Sequence, residues 1–314
     1  MRRATATQRL QVGVESVHGT AVAAGKRLLG LSLGIPNAMT PKDPFRPTGS
    51  LAAVASAVQK EHTEVTFEGA LCYNAIGYVL SSLLKGTGAH GTYKPATFAG
   101  ETVKSFSMEY GDSARADKWA FGMFSGLQLR GTRTEVSMSG DIFGQTLTKG
   151  ATLTTTPTDV PAVLVDPKSI DIKIGADVGS LAAITDGYEW EWSCKGRWKP
   201  TFPFDSTQDS FSDIVAAAPE LSAKICVEDG SEAAGYLDSL RAKTTNICQI
   251  TATGPAIDES NNYGFQLTFP FEFLKSSGKD TDGVLCGEFD LMPKYDSTFG
   301  GWVEFVTLNG LGSL

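Results

Sequence analysis

Apolar and polar residues alternate in run after run of this sequence, and a chain with that habit has few options other than antiparallel sheet. The clearest run is Tyr188-Glu189-Trp190-Glu191-Trp192-Ser193-Cys194, where aromatic rings fall at every second position. Successive side chains of a strand point to opposite faces, so this run presents one apolar face and one charged face. Glu64–Glu68, Ser105–Tyr110 (closed by Gly111-Asp112), Glu135–Gly140 and Ser169–Ile174 follow the same rule. Trp119, Phe121 and Met123 are expected on one face of a further run that continues through Leu127 and Leu129. Period two with one polar face is what a sheet wet on one side requires.

Two segments break the rule with helical spacing. In Tyr73 to Leu84, residues Ile76, Val79, Leu80, Leu83 and Leu84 share one helix face, and Gly86 is placed to stop it. In Glu232 to Arg241, Ala233, Tyr236, Leu237 and Leu240 do the same. Each helix follows a strand and precedes three more: Asn246–Thr253, Tyr263–Phe273 and Val284–Met292 in the second case. The order strand, short helix, strand, long aromatic strand, strand therefore occurs at 64–140 and again at 224–292, which points to an internal duplication. Between the halves, Ala151 to Pro161 is Thr-rich and carries Pro157 and Pro161. It reads as a domain boundary, with an exposed arm or edge strand as the other reading. The fold class expected is mainly β (α+β), in two domains at 1–155 and 156–314, each with one short flanking helix. The long Pro-containing stretch from 34 to 64 is read as a loop.

Composition excludes several functions. The 27 Lys and Arg are outnumbered by 35 Asp and Glu, for a net charge of -8, which argues against tight DNA binding. The basic start Met1-Arg2-Arg3 is followed by no apolar signal region, and no run approaches the ~18 apolar residues of a membrane span. The five cysteines, Cys72, Cys194, Cys226, Cys248 and Cys286, are odd in number, far apart and set in apolar stretches, as buried reduced thiols are.

No catalytic, cofactor or metal constellation emerges. His18, His62 and His90 lie at no ligand spacing from one another or from a cysteine. Glu189 and Glu191 share one strand face, whereas a glycosidase pair must flank a bond from two sides. The segment from Gly86 to Gly91 lacks the Lys and Ser/Thr of a phosphate loop, and Asp280-Thr-Asp282-Gly283 suits a hairpin turn better than a calcium loop.

Several passages resemble the tail tube protein family of long-tailed, non-contractile bacteriophages. They are Gln11-Val12-Gly13-Val14-Glu15 with Gly19-Thr20-Ala21-Val22-Ala23-Ala24, then Phe45-Arg46-Pro47-Thr48-Gly49-Ser50, then Glu68–Asn74 with Leu80–Leu84. Ala252-Thr253-Gly254-Pro255 and Tyr295–Gly301 with Val303–Leu308 complete the set, in the family's order along most of the chain. The resemblance implies two tandem tail-tube-like β-sandwich or rolled-sheet domains and a structural virion protein without enzymatic activity. Rings of such subunits, three chains with pseudo-six-fold symmetry or six chains, would stack into a hollow tail tube. DNA would pass through unbound, and the tube would meet a tape measure protein, a tail terminator and distal tail proteins. Assembly would take place in the host bacterial cytoplasm. Within the 34–64 loop, Pro41, Phe45, Arg46, Pro47 and Ser50 are the expected ring-stacking contacts. The rival readings are another virion β-protein (tail terminator or head decoration) and a glycan-binding β-sandwich that uses Trp190, Trp192 and Trp198.

Overall fold

The computed structural model describes residues 7–39, 42–49, 51–58, 60–86, 90–95, 102–204 and 209–314, with 42–45 and 55–58 as backbone. It is mainly β, as the alternation requires, and two α-helices are present among the described residues. The first half of the chain forms β1 (Arg9–Val14), β2 (Lys26–Leu28), β3 (Ser32–Leu33), β4 (Asn37–Met39), β5 (Lys42–Phe45), β6 (Ala55–Val58) and β7 (His62–Ala70). After helix α1 (Ala75–Leu83) come β8 (Gly91–Tyr93), β9 (Phe106–Gly111), β10 (Ala116–Phe124), β11 (Leu127–Gly131), β12 (Val136–Gly144) and β13 (Thr148–Ala151). The second half forms β14 (Thr158–Val160), β15 (Ile170–Gly175), β16 (Ala182–Ala183), β17 (Gly187–Lys195), β18 (Trp198–Thr201), β19 (Asp213–Ala216) and β20 (Glu220–Glu228). Helix α2 (Ser231–Ala242) is followed by β21 (Asn246–Ala256), β22 (Asn262–Thr281), β23 (Val284–Pro293) and β24 (Glu304–Leu308).

Pairing repeats along with element order. The first half runs β2-β1-β9-β10-β12-β7-β3 across its sheet, every neighbour antiparallel. The second half runs β16-β15-β21-β22-β23-β20-β17, again antiparallel throughout. Strand for strand these are one topology used twice. The short separate strands match too. The β5–β6 pair lies between β4 and β7, and the β18–β19 pair lies between β17 and β20; neither joins the main sheet.

The two repeats are nevertheless fused. Strand β11 of the first pairs with β17 of the second, from Leu127↔Cys194 to Gly131↔Trp190. Strand β24 returns to β8 through Phe305↔Tyr93. One hydrophobic cluster holds Phe67, Trp119 and Phe124 together with Trp192, Phe269 and Phe305, and Trp192 meets the Phe305 ring edge-on at 5.2 Å. The stretch expected to divide the domains is an edge strand instead, the second of the two readings: β14 runs parallel to β2, with Asp159 clamped by both Arg27 Nε and Nη2 at 2.6 Å. Residues 155 and 156 thus do not separate two independent sheets.

Other departures have local causes. Helix α1 is enclosed rather than flanking, because all nine of its residues are buried. Its Ser82 Oγ accepts from Phe124 N at 3.0 Å, which satisfies a polar group inside the core. Helix α2 does flank, laying Ala233, Tyr236, Leu237 and Leu240 on the core. Gly86 does not cap α1, whose last turn closes through Leu84 N to Leu80 O; its missing side chain admits the Tyr93 ring. Trp119, Phe121 and Met123 do not share a face. A bulge between Trp119 and Gly122 puts Phe121 at φ 51°, so Trp119 joins the main core while Phe121 and Met123 face the other way.

Two measurements check this architecture. With a core shared across the repeats, urea unfolding is expected to give one coincident transition by tryptophan fluorescence and far-UV circular dichroism. Two separated transitions would show that the repeats are independent. The Arg27 guanidinium holds the Asp159 carboxyl below its ordinary value, so the clamp is complete above the usual carboxylate range and is lost as pH falls through the lowered value. The extra hydrogen-exchange protection of 158–160 in wild type over Arg27→Ala is therefore expected to be full at about pH 6 and to fall away as pH drops below the usual carboxylate range.

Candidate functional site

Chemistry was sought first around the histidines. His18 Nδ1 lies 2.8 Å from Ser105 Oγ, and Ser105 Oγ donates to Glu15 Oε2 at 2.7 Å. The order is wrong for nucleophilic catalysis, since the hydroxyl proton goes to the carboxylate and Ser105 is fully buried. Glu15 is instead an anchor. Its Oε2 also accepts from Gly19 N, and its Oε1 accepts from Ser107 Oγ and Phe121 N at 2.8 and 2.9 Å. A single buried carboxylate thus ties the end of β1 to β9 and holds the Phe121 bulge. The sequence places Glu15 only within a passage that carries the family resemblance and gives it no role, because a lone Glu after an apolar strand shows no partner.

His62 contacts Glu64 and His90 contacts Leu311 O, both on exposed surface. No group of three or more His, Cys, Asp or Glu fit to hold a metal occurs among the described residues, and no helix among them is long and apolar enough to cross a membrane. All five cysteines are buried and free of disulfides, and burial pushes the Cys194 thiol up to about 12. Trp190, Trp192 and Trp198 are buried as well, so they form no open platform for sugars.

What the fold does expose is strand edge and one broad polar face. From β7 through β12, β11, β17, β20 and β23 to β22, the side chains opposite the core are mostly polar, with Phe143, Cys226, Cys286 and Met292 among the exceptions. Acidic Glu64, Glu68, Asp141, Glu189, Glu191, Glu272, Glu288 and Asp290 outnumber basic Arg130, Lys195, Lys224, Lys275 and Lys279 there. Lys279 bridges Glu189 at 2.9 Å and Lys224 bridges Glu288 at 3.1 Å, and these contacts raise both lysine pKa values. This face includes Glu189 and Glu191, opposite Trp190 and Trp192 as the alternation requires.

The seven-stranded run ends in two open edges. Among the described residues, the distal half of β22, Lys275 to Thr281, pairs only with β23, and β3 and β4 pair only with β7. Gly34 N spends its hydrogen bond on Thr66 O at 2.8 Å, so the neighbouring amides of Leu33 and Ile35 point to the free side. Ile35 is 78% exposed there, a large apolar side chain left uncovered by the described residues. A cleft of about 690 Å³ lies beside it, lined by Asn37, His62, Asp141 and Trp198 among others.

The expected stacking residues lie on the β5–β6 arm. Phe45 ends β5 opposite Ala55, and Arg46 (exposed) and Pro47 (half-buried) follow in the turn. Pro41 and Ser50 fall outside the described residues. The 34–64 stretch is thus a strand and a hairpin arm rather than a plain loop. Leu51 and Val54 at its tip are 99% and 66% exposed. Among known proteins, no family model matches the chain and no curated protein matches it.

Replacing the anchor tests how much the first repeat leans on it. Glu15→Gln puts a donor where donors already converge, and a loss of about 1–3 kcal/mol in urea-derived stability is expected. A change below a few tenths would show that Glu15 is dispensable.

Proposed function

We propose that this chain is a structural subunit that closes into rings by strand pairing between copies, and that the rings stack into the tail tube of a long-tailed, non-contractile bacteriophage. The observation that carries this reading is the junction between the repeats. Within the chain, the hairpin strand β11 of repeat one supplies the edge partner of β17 in repeat two. The counterpart of β11 in repeat two is Lys275–Thr281 of β22, and the counterpart of β17 in repeat one is the β3–β4 edge. Both are open. One chain therefore ends with the two halves of the junction it has already made once.

The register follows by superposing the repeats. Phe67 and Ile225 hold equivalent places on β7 and β20, and their partners are Leu33 and Trp190. Leu129 and Gly278 are equivalent on the hairpins, opposite Met138 and Gly287. Because Leu129 pairs with Trp192, Gly278 of one copy pairs with Ile35 of the next, and Asp280 with Leu33. Exposed Ile35 is then covered, and the edge hydrogen bonds that would otherwise invite aggregation are satisfied.

Repeating the junction continues the polar face from copy to copy. Its acidic excess, with a net charge of -8 for the chain, suits a lumen that lets DNA pass without holding it. Three chains would supply six repeats. The tape measure, terminator and distal tail proteins remain the partners such a tube requires, and the N-terminal and closing passages named above support the same family.

A covalent probe tests the register. Mixing Ile35→Cys chains with Gly278→Cys chains under mild oxidation is expected to give an intermolecular disulfide between the two variants. The chain carrying both substitutions is expected to give a ladder of dimers and higher species, with hollow stacked rings in negative stain. Monomer alone at assembly concentrations, with neither product, would refute the reading.

A further inference from the structure

The small β18–β19 sheet shows what a repeat's arm does once it has left its own sheet. It folds onto the other repeat. Arg197 N donates to Ser125 O at 3.0 Å, Trp198 Nε1 donates to Leu83 O at 3.1 Å, and Glu61 N donates to Asp209 O at 2.8 Å. Trp198 and Phe211 close a second apolar cluster over Val103, Phe121, Met123 and Phe143, with Phe211 ring centroids 5.0 Å from Phe121 and 5.6 Å from Phe143. This cluster lies on the side of the sheet away from the main core, because Ile142 belongs to the core and Phe143 is its neighbour on the strand.

The equivalent surface on repeat two carries no arm among the described residues, and there Glu272, bridged by Lys294, stands where Met123 does. Val65 and Ala223 hold equivalent places on β7 and β20, and their partners are Ile142 and Leu291; the next residues are Phe143 and Met292. Phe143 is 6% exposed under the arm, whereas Met292 is 41% exposed. Phe124 and Phe273 match in the same way, opposite Ile142 and Leu291, so Ser125, which receives Arg197, corresponds to Leu274. Leu274 is 63% exposed.

A second arm of the same kind also exists. Carrying Leu33 onto Trp190 places Lys42 on Lys199 and Phe45 on Phe202 without a gap, so β5–β6 is the arm of repeat one. A lone two-stranded hairpin is marginal in water, and this one ends in exposed Leu51 and Val54. We propose that the β5–β6 arm of one copy seats on the Leu274 and Met292 surface of the adjacent copy in the same ring, clamping the strand junction from the side. The inference rests on the ring reading above. It redirects the expected role of the Phe45, Arg46 and Pro47 region from contact between stacked rings to contact within one ring.

The test uses the full chain. Met292 is on the surface, so Met292→Asp is expected to keep its circular dichroism and thermal midpoint while ring association, read by sedimentation velocity, weakens by about tenfold or more. Mixing Val54→Cys chains with Met292→Cys chains and adding a short bismaleimide is expected to yield a crosslinked pair, because the native thiols are all buried. Wild-type ring association in Met292→Asp without a Val54–Met292 product overturns the clamp, while the Ile35–Gly278 disulfide keeps the ring reading in force. Normal rings that no longer stack also overturn it, since the arm then acts between rings. Absence of the Ile35–Gly278 disulfide as well would defeat the ring reading, and the clamp with it.

Discussion

A strand edge carries unpaired amide and carbonyl groups that must end in solvent or on another strand, and the β11–β17 ladder settles that choice inside this chain. Five residue pairs from Leu127↔Cys194 to Gly131↔Trp190 turn two sheets into one. The ladder also brings the aromatic face of β17 over the first repeat, so Trp190 and Trp192 join a core begun by Phe67 and Leu129. Gly131 is required at its end: a Cβ there would lie 2.0 Å from the Trp190 indole nitrogen. Backbone pairing and core formation therefore depend on each other at this seam.

The polar face follows from the same seam. Once the seven strands are in register, every side chain opposite the core falls on one surface, and the charges on neighbouring strands come within reach of one another. Lys224 with Glu288 is a pair between neighbouring strands, and Lys279 reaches from β22 across the face to Glu189 on β17. Their exposure limits what each adds to stability, and their placement matters more for the field along the face. Glu15 plays the opposite part. Buried with four donors around it, it fixes the bulge that turns Phe121 and Met123 outward, and so prepares the seat that the β18–β19 arm occupies.

Much of this was legible as local pattern. Strands such as Tyr188–Cys194 and Ser105–Tyr110 declare themselves because the period of two is a property of the backbone alone. Helix α2 is legible for the same reason at period 3.6. The distal half of β22 was not. Ser276-Ser277-Gly278-Lys279-Asp280 has no apolar alternation, and it is extended because β23 pairs with it. The β5–β6 and β18–β19 arms were hidden by Pro44, Pro47, Pro200 and Pro203, which suit edges and turns and blur any strand signal. The Phe121 bulge was hidden because one extra residue leaves the composition of a strand unchanged while reversing its faces.

By itself, the sequence determined that the chain is mainly β, where its two helices lie, which faces of most strands are buried (the Phe121 bulge excepted), and that its elements recur in the same order. Those are consequences of side-chain periodicity, which each segment carries alone. Which strands pair, that the two repeats share one sheet, and that equivalent edges are filled inside the chain but open at its ends were decided only by the tertiary structure. Backbone hydrogen-bonding groups are the same in nearly every residue, so nothing in a strand's own sequence names its neighbour.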